Sequence, residues 1–211
     1  MTASAAKDRC RVVVFAKAPE PGKVKTRLIP ALGEAGAAAL HRRLVTHSLR
    51  VATEAQVGSV ELWCAPDAGD PFFLECERRF GVSLRSQGEG DLGARMQRAF
   101  GAALARAPRA ILVGGDIPAL SAQYLRDAER ALIAGNDAVI GPAEDGGYVL
   151  IGLSRCDAEL FREIPWSGPE VLPETRRRIA ALRWRLIELP ALWDVDRPED
   201  LERLPEGMRA R

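Results

Sequence analysis

The chain has 211 residues, enough for one domain with a sizeable core and marginal for two. Hydrophobic residues make up 47%, charged residues 28%, and the formal net charge is +1. That balance offers no global basic field to hold nucleic acid, and no apolar run reaches the length of a membrane span. Four widely spaced cysteines, Cys10, Cys64, Cys76 and Cys156, form no CxxC pair, which argues against a zinc ribbon or a redox motif. The opening MTASAAKDRC has no apolar signal segment, so a cytoplasmic, reduced, soluble protein is expected.

Residues 12–15, VVVF, read as a buried first strand. The strand runs into a loop with Pro19, Pro21 and Gly22, surrounded by Lys17, Lys23, Lys25 and Arg27. Loops at the carboxyl ends of strands are where α/β sheets bind ligands. Cations gathered on one such loop need a counter-charge, most simply a polyphosphate; the competing reading is a solvated basic turn. The spacing of Leu40, Leu44, Val45, Leu49 and Val51 predicts a helix over 34–54. His41 and His47 fall on it and are expected at the surface, because nothing near them has metal-site spacing.

Residues 60–64 read as a strand with Cys64 in the core. Pro71 suits the first turn of a helix running to Phe80. Residues 82–85 form a short strand. Asp91 can cap a helix with Leu92, Met96, Phe100, Ala103 and Leu104 on one face. A strand over 110–113 leads into Gly114-Gly115-Asp116, and Ser121 caps a helix with Leu125, Ala128 and Leu132 inward. Strands over 138–140 and 148–153 flank the Gly146-Gly147 turn. A helix over 169–181, a strand over 184–189 and a short helix over 198–204 complete the series. This alternation predicts an α/β fold with a mostly parallel sheet and helices on both faces. It is read as a single domain over 9–205, with 1–8 and 206–211 as flexible tails.

Asp116 is the first candidate for chemistry. A carboxylate at a strand's carboxyl edge, facing the basic loop, suits Mg²⁺ held against phosphate oxygens; the competing role is a turn or cap aspartate. Asp194-Val195-Asp196 precedes the proline-started final helix, so Asp196 is either a second metal ligand or a carboxylate at a helix N-terminus. Asp145, in GPAEDGGY, can bind an acceptor hydroxyl or close a hairpin. Glu144 or Asp145 is the candidate for activating that hydroxyl. The turn QGEGDLGARM can read a nucleobase through its backbone, with Gln87 and Gly88 foremost. The segment Trp166-Ser167 is a candidate acceptor loop, with a core tryptophan as the alternative. No G-x-G-x-x-G, P-loop or G-x-S-x-G pattern occurs, which disfavours a dinucleotide fold, a P-loop NTPase and a serine hydrolase.

The ordered segments FAKAPEPGKVKTRL, QGEGDLGARM, GGDIPAL, GPAEDGGYVLIGL and DVDRPEDL together resemble the GT-A-fold glycosyltransferase-like family. That family is related to 2-phospho-L-lactate guanylyltransferase, and some members are associated with arsenosugar biosynthesis. The likeness spans residues 11–204. It implies a three-layer Rossmann-like GT-A fold, as in nucleotide-diphospho-sugar transferases, that binds a nucleotide sugar or an NTP with Mg²⁺ or Mn²⁺. On that pattern Lys17, Gly22, Lys25 and Arg27 meet phosphates, and Gln87 and Gly88 lie near the base. Asp116 and Asp196 hold the metal, and Asp116, Asp145 and Lys25 carry the catalysis. Asp196 is similar to the aspartate of the V-D-T-P-E-D-L motif in sugar-nucleotide cytidylyltransferases, with Arg197 in place of the threonine. A proline-bearing lysine loop replaces the L-x-G-G-x-x-x-R-M loop usual in nucleotidyltransferases of this fold. The guanylyltransferase branch has a similar A-K-T-R-L, so it is the family label, and no single residue, that implies glycosyl transfer to a small-molecule acceptor. Nucleotidyl transfer to a phosphorylated small molecule is the alternative, and a non-catalytic nucleotide-binding protein is the third.

Overall fold

The computed structural model describes residues 9–166 and 168–209. Seven strands, β1 (Arg11–Lys17), β2 (Ser59–Ala65), β3 (Ser83–Ser86), β4 (Ala110–Gly114), β5 (Ala138–Pro142), β6 (Tyr148–Leu153) and β7 (Leu186–Glu188), form one sheet in the order β3-β2-β1-β4-β6-β5-β7. Pairing is parallel except at β6, which runs antiparallel to both β4 and β5. The helices are α1 (Ile29–Ala55), α2 (Pro71–Phe80), α3 (Leu92–Leu104), α4 (Ala122–Ile133) and α5 (Val171–Ala181).

The unbroken apolar run of β1 is what a strand covered on both faces requires. Val12 and Val14 point into a core shared with Val45 and Leu49 of α1, Phe72 and Phe73 of α2, and Leu125 of α4. Val13 and Phe15 point the other way, against Met96 and Phe100 of α3 and Ile179 of α5. The molecule therefore has three layers, α/β/α. Each of these buried side chains stabilises it by about 1.5–3 kcal/mol relative to exposure. Cys64 is fully buried on the first face, as expected.

Several expected boundaries shift, among them the strand expected over 184–189, which is the shorter Leu186–Glu188. Helix α1 begins at Ile29, but Gly33 (φ 69°, ψ 167°) breaks it, so continuous helix starts at Glu34. Helix α5 starts two residues later than expected, at Val171. The last helix is a 3-10 turn, Pro198–Arg203. Capping follows the sequence: Asp70, Asp91 and Ser121 accept from the backbone N–H of Phe72, Ala94 and Tyr124.

A third apolar cluster, Leu28, Leu40, Leu44, Val195 and Leu204, ties the C-terminal segment to α1. It brings residues 194–196 beside the loop after β1. Beyond it lies a 3-10 turn, Glu206–Met208, where Met208 O accepts from Arg43 Nε at 3.3 Å. Residues 1–8, 210 and 211 of the expected tails lie outside the described residues.

Candidate active site

The basic loop is built around Lys25. Val24 and Leu28 are buried and anchor its two ends. Between them Lys25 adopts a left-handed backbone (φ 47°, ψ 42°) at the start of the 3-10 turn Thr26–Leu28. Its side chain is only 7% exposed, and Nζ donates to Asp116 Oδ2 at 2.8 Å and to the carbonyl of Val195. Val195 N in turn donates to Asp116 O at 3.2 Å. Three distant segments are thus laced together: the loop after β1, the loop after β4, and the C-terminal segment. An ammonium has three donors, so Lys25 keeps one beyond these two bonds.

Burial alone would lift the carboxyl of Asp116, but the Lys25 ammonium outweighs it and holds it below the ordinary value. Burial likewise opposes the charge on Lys25, and Asp116 outweighs it, so its pKa is raised. Both groups are charged near neutrality. A Cβ at Gly115 would stand 3.0 Å from Val45 Cγ2 and 3.1 Å from Phe15 O, so a larger residue there would need its neighbours to give by a few tenths of an ångström. This close packing against α1 sets where Asp116 emerges.

Asp196 forms an ion pair with Arg27. The capping role it could have taken falls to Asp200, whose Oδ2 accepts from Asp196 N and Arg197 N at 2.9 and 2.8 Å. Both members of the Arg27–Asp196 pair are well exposed, at 67% and 41%. Such pairs contribute only about 0–1 kcal/mol, so an incoming phosphate or cation can displace them readily.

These residues face an open cleft of about 750 Å³. Lys17, Lys23, Lys25, Arg27 and Arg95 line it, together with Gln87, Asp116 and Asp196. Gln87 is 4% exposed and its Nε2 donates to Ala16 O and Trp63 O at 3.1 and 2.8 Å, tying the ends of β1 and β2. Gly88 (φ 70°) and Gly22 (φ 77°) shape the flanking turns but are not among the residues lining the cleft. Over Gly88 lies Arg98, which donates to the carbonyls of Gln87 and Glu89.

A smaller pocket of about 190 Å³ opens on the other side of Asp116. The carboxylates of Asp116, Asp145 and Asp194 line it, along with Tyr148 and Trp166. Asp145 Oδ1 accepts from Gly147 N at 3.0 Å. Burial first, then the charges of Asp116 and Asp145, push Asp194 up to about 6 against the pull of Lys25. Glu144 lines neither cavity; both its oxygens accept from Arg203, at 2.8 and 3.0 Å. Of the candidate acceptor loop, Trp166 is described and Ser167 lies outside the described residues.

Among the described residues no group of three His, Cys, Asp or Glu side chains could hold a metal ion alone. The carboxylates at Asp116 and Asp196 are hard oxygen donors of the kind Mg²⁺ takes together with substrate phosphates. The residues present therefore fit a divalent ion that needs the phosphates to complete its shell.

His41 is not at the surface, as expected, but 7% exposed. Its Nε2 lies 2.9 Å from Lys17 O, and it lines the cleft. The signal was present: Ala37, His41, Leu44 and Ser48 lie on one helical face and all are buried. Asp194 and Arg95 are the other site residues that the candidates above omit. Asp194 is the first aspartate of the D-x-D triplet Asp194-Val195-Asp196, a pattern too short to single it out, and Arg95 lies one turn into α3 at the strand-to-helix rim.

The family model described as "Uncharacterized protein conserved in bacteria (DUF2064)" matches residues 48–168. No curated protein matches the sequence. A crystal structure from Desulfovibrio desulfuricans G20, described provisionally as a nucleotide-diphospho-sugar transferase, is similar with a TM-score of 0.80 and 33% identity, covering 89% of this chain and 82% of that one. A nucleotidyl transferase from Methanothermobacter thermautotroptrophicus has a TM-score of 0.63 at 18% identity, covering 95% and 98%. Glucosyl-3-phosphoglycerate synthase from Mycobacterium tuberculosis, in complex with Mn²⁺, UDP and glucosyl-3-phosphoglycerate, has a TM-score of 0.56 at 13% identity, covering 94% and 75%. The two distant likenesses speak to fold alone. With the first they show the nucleotide-diphospho-sugar transferase fold that the ordered motifs implied. Among the described residues no helix is long and apolar enough to cross a membrane. Matched over more than half its length, the chain belongs to the bacterial family DUF2064.

Proposed function

We propose that this protein is a metal-dependent transferase that moves a glycosyl group from a nucleotide-sugar donor to a small-molecule acceptor. One observation carries the reading. Asp116 stands at the junction of two cavities, the larger lined by cations and the smaller by carboxylates and aromatic rings. A donor's diphosphate suits the first, and an acceptor suits the second. The boundary between them is where a group would cross.

In this reading Lys17, Lys23, Arg27 and Arg95 bind the diphosphate, with Lys25 adding its third donor from below. Gly22 and Gly88 hold the turns that present these groups, and Gln87 fixes the floor of the base side. Asp116 and Asp196 would hold Mg²⁺ or Mn²⁺, which supplies charge stabilisation to the departing diphosphate. The acceptor oxygen bonds to the anomeric carbon as that carbon's bond to the β-phosphate oxygen breaks. The nucleoside diphosphate leaves, and the acceptor proton passes to a carboxylate on the acceptor side. Asp145 is the candidate that sequence offered; Asp194 shares its pocket. Glu144, held by Arg203, is not placed for it.

The relative from Desulfovibrio, with its description as a nucleotide-diphospho-sugar transferase, supports this choice. Nucleotidyl transfer would use the same cations and the same two aspartates. The two are separated by incubating the protein with Mg²⁺, a panel of nucleotide sugars and NTPs, and candidate acceptors. Acceptor-dependent release of nucleoside diphosphate is expected. Pyrophosphate release from NTPs, with no reaction of any nucleotide sugar, would overturn glycosyl transfer. Binding without turnover across the panel would leave a nucleotide-binding protein.

A further inference from the structure

We infer that the small pocket beyond Asp116 takes an uncharged, hydroxyl-bearing acceptor and turns away phosphorylated ones. The inference rests on the transferase reading and adds the chemical class of the acceptor. Among the described residues lining this pocket are Asp116, Asp145 and Asp194, and no Lys, Arg or His. The contrast with the adjoining cleft, which gathers five basic side chains, is abrupt.

The cations on neighbouring elements are already paired, Lys25 with the pocket's own Asp116. Lys25 Nζ lies 2.8 Å from Asp116 and also donates to Val195 O. Arg203 is bound by both oxygens of Glu144, and Arg176 of α5 by both oxygens of Glu188. Arg178 of the same helix donates to Glu174 and to Glu159 O. A phosphate in the pocket would meet the carboxylates of Asp145 and Asp194 beside the Lys25-paired Asp116, with only neutral donors such as the indole Nε1–H of Trp166 to receive it, and like charges at a few ångströms repel strongly in a partly buried site. Even with a divalent ion on Asp116, Asp145 and Asp194 still face the acceptor.

The same residues suit hydroxyls. A carboxylate is an acceptor with room for about four hydrogen bonds, and Asp145 uses one on Gly147 N. Opposite them Tyr148, Trp166, Leu92, Val149 and Val171 offer an apolar wall for the C–H face of a ring or chain. Trp166 is seated hard against α3: a Cβ at Gly93 would lie 2.7 Å from its Cζ2. The volume, about 190 Å³, is below the ~300–1,000 Å³ of drug-sized sites. It admits a piece the size of one sugar ring or a short polyol.

The test is a ligand-observed NMR titration of the full chain with Mg²⁺, with and without UDP. The probes are matched pairs: glucose against glucose 6-phosphate, and glycerol against glycerol 3-phosphate. The neutral member of at least one pair is expected to bind about tenfold tighter than its phosphorylated partner. In the variant carrying both Asp145→Asn and Asp194→Asn that preference should shrink severalfold. In the UDP-saturated samples, where the cationic cleft is filled, equal or tighter binding of the phosphorylated member in wild type overturns the inference, and so does the absence of binding by every probe. UDP binding is read in the same samples. Its absence counts against the transferase reading, whereas UDP binding with preference for the phosphorylated probes counts against the acceptor class alone.

Discussion

The Lys25 ammonium lies 2.8 Å from the Asp116 carboxylate, joining residues 91 apart in sequence. The contact holds Lys25 in a left-handed backbone that costs a non-glycine residue about 1–2 kcal/mol. The pair is therefore both a structural tie and the charged floor of the cleft. Lys25→Met should lower unfolding free energy by about 1–3 kcal/mol, because Asp116 loses its hydrogen-bonded partner. The value is kept modest because the Asp116 side chain is 35% exposed and regains some hydration. Urea unfolding reads this directly, and a variant as stable as wild type would show that the tie is incidental.

Arg27 and Asp196 form the opposite case. Their pair is exposed, so Arg27→Ala should change stability by less than about 0.5 kcal/mol. It should nevertheless weaken UDP binding by about tenfold, through loss of one charge-assisted phosphate contact. Uridine binding should be unchanged. Calorimetry with both ligands checks this, and equal losses for the two would mean that Arg27 does not read phosphate.

The two histidines of α1, His41 buried and His47 partly buried, set a stability window. Burial is the main cause holding both His41 and His47 below their ordinary pKa of 6.5. A lowered folded pKa means that the unfolded chain takes up protons first as the pH falls. Stability is full above about 6.5 and declines below it until the folded-state values are passed. His41→Gln, which can keep a donor for Lys17 O, should show a shallower decline between pH 7 and 5. Denaturant midpoints at several pH values would show parallel wild-type and variant curves if His41 did not contribute.

Two glycines of α3 separate local preference from packing. Gly93→Ala would put its Cβ 2.4 Å from Phe161 O and 2.7 Å from the Trp166 ring. It should cost about 1–3 kcal/mol and displace the aromatic wall of the small pocket. Gly101→Ala meets nothing within 4 Å and sits in an exposed helical position. It should stabilise by about 0.4–1 kcal/mol. Thermal unfolding of the two variants should shift in opposite directions; a shared direction would mean that the contacts at Gly93 yield easily.

The cysteines should be inert in the folded chain. Burial pushes the thiols of Cys10 and Cys64 up to about 12 and that of Cys76 up to about 11. The thiolate is the reactive form, so labelling by a disulfide reagent at pH 8 should track unfolding at these three. Cys156, less buried, should label first. Fast labelling of all four in native buffer would contradict their placement.

The strand order was not legible in the sequence, but the elements were. The continuous apolar run of Val12 to Phe15 and helical spacing in α3 and α4 depend on local pattern, and both appear as the residues dictate. The caps at Asp91 and Ser121 do too. What local pattern cannot give is pairing. Nothing near Lys25 says that its ammonium ends on Asp116, or that Asp200 rather than Asp196 caps the last turn. Asp194 was visible as half of a D-x-D triplet, yet its place beside Asp145 arises only when Val195 docks between Lys25 and Asp116. His41 departs from the surface position expected of a polar residue because it falls on the apolar face of α1 with Ala37 and Leu44. Its Nε2 bond to Lys17 O is a tertiary contact without a sequence signature.

The most direct test of the central claim is a crystal grown with UDP and Mn²⁺, read by anomalous scattering at the manganese edge. The account predicts one manganese peak within coordination distance of Asp116, bridging to the UDP phosphates, with Arg27 turned toward those phosphates and the pocket of Asp145 and Asp194 open beside it. UDP bound away from the Lys25 loop, or manganese bound without Asp116, would contradict it.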